Sequence, residues 1–280
     1  MKIKLLDHKN FDGDFPYSGL EVFDNRLYFV ASNGEEILQT DSKWNTEDKL
    51  PVKAGAEHSS VNNTISISKE SKNASFLLFG SGAGEADSAV LKMSLKSKET
   101  ESIDLSVFRS RVKDLGMEHF VVLSVTTVND KTVLLAQNGE SRAFIITDNN
   151  FYKKQDSADI QLSQLQWEEG KENTIIPAAI HYSYKNDWLI VTGEKHEAGD
   201  PVSSTEIFIG IVENAFRKID RKRIKVNEFL SLAIKDEAPN NLKIKSIVAQ
   251  EDKENKLKLH MIRSNEAGMT SLIKFRLKAG

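Results

Sequence analysis

Asp24-Asn25-Arg26-Leu27-Tyr28-Phe29-Val30-Ala31-Ser32-Asn33-Gly34-Glu35-Glu36-Ile37-Leu38 sets the pattern of the whole chain. A polar turn is followed by an apolar run, a Gly/Asn/Glu turn and a second apolar run. The first turn recurs at Asn73, Asn129, Asn186 and Asn255. After it come Phe76-Leu77-Leu78-Phe79, Val133-Leu134-Leu135-Ala136, Trp188-Leu189-Ile190-Val191 and Leu257-Lys258-Leu259-His260-Met261-Ile262. The second turn recurs at Gly84-Glu85, Asn138-Gly139-Glu140, Gly193-Glu194 and Asn265-Glu266, followed by Ala89-Val90-Leu91, Ala143-Phe144-Ile145-Ile146, Ile207-Phe208-Ile209 and Leu272-Ile273. Short strands repeated with turns between them predict an all-β fold, a β-propeller.

Each unit opens with an inner strand of small and β-branched residues, as the crowded axis of a propeller demands. These are Gly19-Leu20-Glu21-Val22-Phe23, Thr64-Ile65-Ser66-Ile67, the run 120–125, Ala178-Ala179-Ile180-His181-Tyr182 and the run 244–249. Outer fourth strands are expected over 46–52, 99–105, 158–165 and 221–226. The fifth unit ends after three strands at Phe275-Arg276-Leu277, while Lys2-Ile3-Lys4-Leu5-Leu6 is an orphan strand at the other end. The expectation is therefore five four-stranded blades, with the N-terminal strand completing the last one and covering an open sheet edge. Six blades is the alternative, with a further inner strand hidden between Phe216 and Leu232. Residues 107–115 and 228–235 read as short helices, and 194–201 as an exposed polar loop.

The chain of 280 residues, 39% hydrophobic, suits one closed all-β domain spanning 1–280. With no cysteine there is no disulfide, thiolate zinc site or cysteine nucleophile. The net charge of -3 favours neither nucleic acid nor a membrane surface as partner. The basic stretch Arg217-Lys218-Ile219-Asp220-Arg221-Lys222-Arg223 reads as a solvated outer strand with alternating charge, with an anion patch as the alternative. No apolar run is long enough to span a bilayer, and Met1-Lys2-Ile3-Lys4-Leu5-Leu6-Asp7-His8 is too polar for a signal peptide. Cytoplasmic residence is expected, with the periplasm as the alternative had a signal been removed.

Antiparallel connectivity places the start of every inner strand and every second turn on one face, around the mouth of the channel. Binding residues sit on loops that a rigid scaffold holds. The candidates there are Ser18, Asn63, Glu118, His119, His181 and Ser246, with the turn acids Glu35, Glu85, Glu140, Glu194 and Glu266 as a rim. A metal reading takes Glu21 and Glu118 as oxygen ligands and Ca2+ as the cation. No His-Glu-x-x-His spacing, nucleophile elbow or phosphate loop is present; Gly80-Ser81-Gly82-Ala83-Gly84 lacks the Lys-Ser/Thr tail of the last.

Ser18-Gly19-Leu20 with 26–30, then 76–82 with Ala89-Val90-Leu91, then Met117-Glu118-His119 with Leu134-Leu135, resembles an uncharacterised bacterial β-propeller family distantly related to phytase-like and lactonase-like propellers. That resemblance covers most of the chain and implies an acidic residue at each inner-strand start. Glu118 keeps it; Asn63 or Glu57 stands at the second unit, and Ile244-Lys245-Ser246 departs from it. The leading functional expectation is a non-catalytic propeller that binds a small molecule, glycan or protein partner at the channel mouth. The alternative is a metal-dependent phytase-like or lactonase-like hydrolase.

Overall fold

A computed structural model describes residues 1–11, 17–31, 35–52, 64–70, 73–79, 90–129, 131–138, 143–148, 159–167, 175–195, 206–226, 228–233, 242–253, 256–265 and 269–278. The first blade pairs β2 (Tyr17–Phe23), β3 (Arg26–Ala31), β4 (Glu36–Thr40) and β5 (Thr46–Pro51) in order. The second pairs β6 (Thr64–Glu70), β7 (Asn73–Phe79), β8 (Val90–Ser94) and β9 (Thr100–Ile103). Helix α1 (Ser106–Asp114) leads into the third: β10 (Phe120–Val128), β11 (Lys131–Asn138), β12 (Ala143–Asp148) and β13 (Ile160–Gln166). The fourth holds β14 (Ile175–Ser183), β15 (Trp188–Lys195), β16 (Glu206–Glu213) and β18 (Glu228–Ala233), with α2 (Ala215–Lys218) and β17 (Arg223–Lys225) inserted before its last strand. The fifth pairs β19 (Lys243–Lys253), β20 (Lys256–Ser264) and β21 (Thr270–Lys278), and β1 (Lys2–Phe11) lies antiparallel on β21, with Lys2 opposite Lys278 and Phe11 opposite Thr270. The inner strands adjoin one another in the order β2, β6, β10, β14, β19 and back to β2, which closes a ring of five blades.

The second strand of each blade is apolar at successive positions because both of its faces are buried. Side chains alternate across a strand, and here the two faces feed different seams between blades. Tyr28 and Val30 pack with Phe76 and Leu78 in the seam between blades one and two. Leu27, Phe29 and Ala31, from the same strand, pack with Val248, Ile262 and Leu272 of blade five. Leu134 and Ala136 join Leu77 and Phe79, whereas Val133 and Leu135 join Leu189 and Val191. The apolar core is thus five seams. Phe108 and Val112 of α1 plug the one between blades two and three. Among the described residues no helix is long and apolar enough to cross a membrane.

The turns explain two of the recurring asparagines, Asn25 and Asn129, whereas Asn73 lies within β7. Asp24 and Asn25 have φ of 47° and 63°, and Asn129 has φ of 54°. A two-residue hairpin loop with both residues left-handed matches the twist of its strands, and Asn tolerates that conformation best after Gly.

Three expectations are corrected. Among the described residues no sixth inner strand lies between Phe216 and Leu232; they hold α2, β17 and most of β18. Residues 223–225 form no outer strand of blade four: β17 crosses to blade three and pairs parallel with β13, Leu165 opposite Ile224. Residues 228–233 are the outer strand in its place, not a helix, since β16 needs an edge partner and Ile207 to Ile211 pair with Leu232 to Glu228. Tertiary pairing there overrides local helix propensity. Glu194, read as a turn acid, lies within β15, opposite Ile176; the rest of the expected 194–201 loop after Lys195 is outside the described residues.

Candidate functional site

Counting each inner strand forward from its first β-bulge puts Glu21, Thr126, His181 and Val248 at equivalent positions, three residues beyond the bulge in each case. Glu21 on β2 and His181 on β14 then meet, with Oε1 4.0 Å from Nδ1. Strand β19 stands between β2 and β14 in the ring, so this approach spans the axial channel. Both side chains are buried. The same Oε1 accepts the N–H of Val22 at 2.8 Å, which fixes the carboxylate. His181 donates or accepts no hydrogen bond among the described residues. Burial pushes its imidazole down to about 4. The nearby carboxylate pulls the other way, but with no hydrogen bond between them the loss of water dominates, and the ring is neutral at neutral pH. A fixed acceptor thus faces an imidazole that has one donor and one acceptor to offer.

Hydroxyls stitch the inner ring around this pair. Ser124 accepts from the N–H of Ile180 at 3.1 Å and donates to its carbonyl at 3.3 Å. Thr126 accepts from the N–H of Tyr182 at 3.1 Å. Ser246 does the same to Leu20, accepting at 3.3 Å and donating at 3.2 Å. Inner strands of neighbouring blades share no ladder, so these side chains satisfy backbone groups that would otherwise be buried without partners.

The structure separates the residues named from sequence. Glu21 and His181 come together. Each is two residues from the hairpin end of its strand, roughly 7 Å from the first-turn face at strand rise. Glu118 and His119 are exposed in the turn that precedes β10, at the opposite face, and no hydrogen bond or ion pair joins them to the others among the described residues. Ser18 is buried at the bulge of β2, Ser246 is bound to Leu20, and Asn63 lies outside the described residues. Of the turn acids, Glu35 is exposed, and Glu194 is buried with Oε1 accepting the N–H of Ile244 at 2.5 Å; Glu85, Glu140 and Glu266 lie outside the described residues. Among the described residues no three His, Asp or Glu side chains converge as a metal site would require.

A second polar chain, invisible in the sequence, locks blade five to blade one. Trp44 Nε1 donates to His260 Nδ1 at 3.3 Å, which leaves the proton on Nε2, 3.4 Å from Gln250 Oε1. Gln250 Nε2 in turn donates to the side chain and carbonyl of Asn25. Burial, with Lys274 and Lys258 nearby, pushes His260 down to about 3.

No family model matches the chain, and no curated protein does. Solved structures do. A GH43 β-1,3-galactosidase with galactodeoxynojirimycin shares the fold at TM-score 0.53 and 12% identity, over 95% of this chain and 93% of that one. Known propellers share this fold. A putative glycoside hydrolase from Bacteroides ovatus matches at TM-score 0.53 and 10% identity, over 92% of this chain and 85% of its own. An exo-β-1,3-galactanase from Phanerochaete chrysosporium with β-1,3-galactotriose matches at 0.51 and 10%, over 95% of this chain and 64% of its own.

Proposed function

We propose that residues 1–280 act as one propeller domain that binds a neutral glycan or small polyol in the axial channel without cleaving it. The observation that carries the reading is the cross-channel approach of Glu21 and His181, a fixed carboxyl group opposite a neutral imidazole free of hydrogen bonds among the described residues. Vicinal hydroxyls of a sugar both donate and accept, so one saccharide unit satisfies both groups. The glycan class draws support from solved propellers of like fold, which include a β-1,3-galactosidase and an exo-β-1,3-galactanase.

Hydrolysis of a glycoside calls for two carboxyl groups, about 5–9.5 Å apart, on either side of the bond. In this channel pair one partner is an imidazole, which favours binding over cleavage. The phytase-like and lactonase-like reading, with Glu21 and Glu118 as the carboxylates on Ca2+, draws no support from this geometry: Glu118 is exposed at the opposite face, and among the described residues no acidic cluster converges.

Calorimetric titration with a panel of neutral oligosaccharides tests the proposal. A hydrogen bond to a charged group is worth about 1.5–3 kcal/mol and a neutral one about 0.5–1.5 kcal/mol, so Glu21→Gln should weaken a saturable binder by about tenfold or more and His181→Asn severalfold. Equal affinity in both variants would refute the axial site. Release of reducing ends, abolished by Glu21→Gln, would replace binding with hydrolysis.

A further inference from the structure

The insertion between β16 and β18 has a charge unlike the rest of the molecule. Residues 214–226 contain Arg217, Lys218, Arg221, Lys222, Arg223 and Lys225 against one acid, Asp220, a formal +5. The chain totals -3, so everything else sums to -8. None of these six cations makes an ion pair or side-chain hydrogen bond among the described residues. Asp220 is taken already, by Lys131 at 2.5 Å. Like charges this close repel one another, and Asp220, already paired, is the one acid within the stretch.

Beside the cations stand two exposed aromatic rings, Tyr184 at 73% and Phe216 at 43% exposure. They are held in place. Asp187, left-handed at φ 51° in the β14–β15 turn, accepts the N–H of Ala215 on its carbonyl at 2.9 Å. Its carboxylate accepts the N–H of Phe216 at 2.8 Å and the hydroxyl of Tyr182 at 3.0 Å. The Tyr182 ring meets Tyr184 edge-on at 6.4 Å, and Lys131 sits over Phe216 at 5.9 Å. One aspartate therefore ties the turn that carries Tyr184 to the helix that carries Phe216 and Arg217. Rigid aromatics flanked by arginine are the composition of interface cores, and ordering them in advance lowers the entropy lost on binding.

We propose that this first-turn rim of blades three and four is a docking surface for a short acidic peptide segment with an aromatic or apolar residue among its carboxylates. The cations supply complementary charge, and Tyr184 and Phe216 take the apolar residue. A peptide fits better than nucleic acid because a long polyanion would extend beyond the patch and meet the field of the remaining -8 within a Debye length or two, whereas a short segment engages only the basic rim. The surface is independent of the channel and stands whether or not a glycan binds there.

Fluorescence anisotropy tests it, using a labelled short peptide of glutamates with interspersed tyrosines, and an oligothymidylate of equal length as the rival probe. The peptide should bind saturably and lose about tenfold or more in affinity as salt rises from low to near-molar concentration, as screened charge pairs require. The triple variant Arg217→Glu, Arg221→Glu and Arg223→Glu, all at exposed positions, should weaken it at least tenfold, and Tyr184→Ala should weaken it severalfold. Circular dichroism should be unchanged in both. Absence of peptide binding, equal binding by the triple variant, or tighter binding of the oligothymidylate would each overturn the proposal. The triple variant should keep any oligosaccharide affinity, which separates this surface from the channel.

Discussion

His260 makes the seam between blades one and five sensitive to acid. Its Nδ1 accepts from Trp44, so the ring must stay neutral for the Trp44–His260–Gln250–Asn25 chain to exist. Its folded value is depressed to about 3, against about 6.5 in an unfolded chain. The unfolded state therefore binds a proton that the native state refuses throughout the window between those values. Stability is fully present above the unfolded value and is lost as pH falls through the folded one. At about pH 5 the linkage removes about 2 kcal/mol relative to neutral pH, and below the folded value the loss reaches about 5 kcal/mol. That is a large share of an ordinary domain's stability of about 5–15 kcal/mol. Urea unfolding at neutral pH and at about pH 5 gives the total loss, to which the buried His181 adds a similar amount, so the difference between the parent and a His260 variant isolates this share. His260→Gln, which cannot take up the proton, should lose about 2 kcal/mol less over the same interval than the parent. If parent and variant lose the same amount, the seam argument fails.

Gly210 leaves no room for a side chain against blade three: a Cβ there would sit 2.2 Å from Val226 Cγ1 and 2.9 Å from Trp167 Cζ3. Gly210→Ala should cost about 1–3 kcal/mol by overpacking, and Val226→Ala in the same chain should recover much of it; a double-mutant cycle with no coupling would refute the contact. Ser246→Ala strips both partners from the Leu20 backbone and should destabilise by about 2 kcal/mol, whereas a change within about 0.5 kcal/mol would mean those groups find other partners. Removing residues 1–6 exposes the edge of β21 and should lower the melting temperature of the whole ring; a truncated chain that melts with the parent would show that β1 contributes nothing to closure.

Much of this architecture is legible in the chain because backbone demands recur. Asn25 and Asn129 mark hairpins that need positive φ, and Phe76-Leu77-Leu78-Phe79 is apolar throughout because its two faces enter two seams. The orphan strand at 2–6 pointed to closure because the last blade was one strand short. The destination of β17 was not legible: Arg223-Ile224-Lys225 alternates as a strand should, yet nothing local says which sheet it joins, and its partner β13 lies more than one blade's length earlier. The axial pair was half legible. Glu21 and His181 were both named, but their meeting depends on register counted from the bulges across non-adjacent blades. The Trp44–His260 chain left no signal, since each member is a common residue in a common place.

The pairing of β1 with β21 joins Lys2 to Lys278, and this sets the order in which the molecule can be made. Blades one to four consist of strands near one another in sequence and can pair as they leave the ribosome. Strand β1, synthesised before all of them, has no partner until residues 270–278 emerge. Through nearly all of translation it presents an unpaired edge, of the kind that recruits wrong partners. Its exposed charges, Lys2, Lys4, Asp7 and Lys9 in a stretch of eight residues, are well suited to keeping that edge solitary. The ring's last contact spans the longest loop in the chain, so closing it is the step that contact order makes slow.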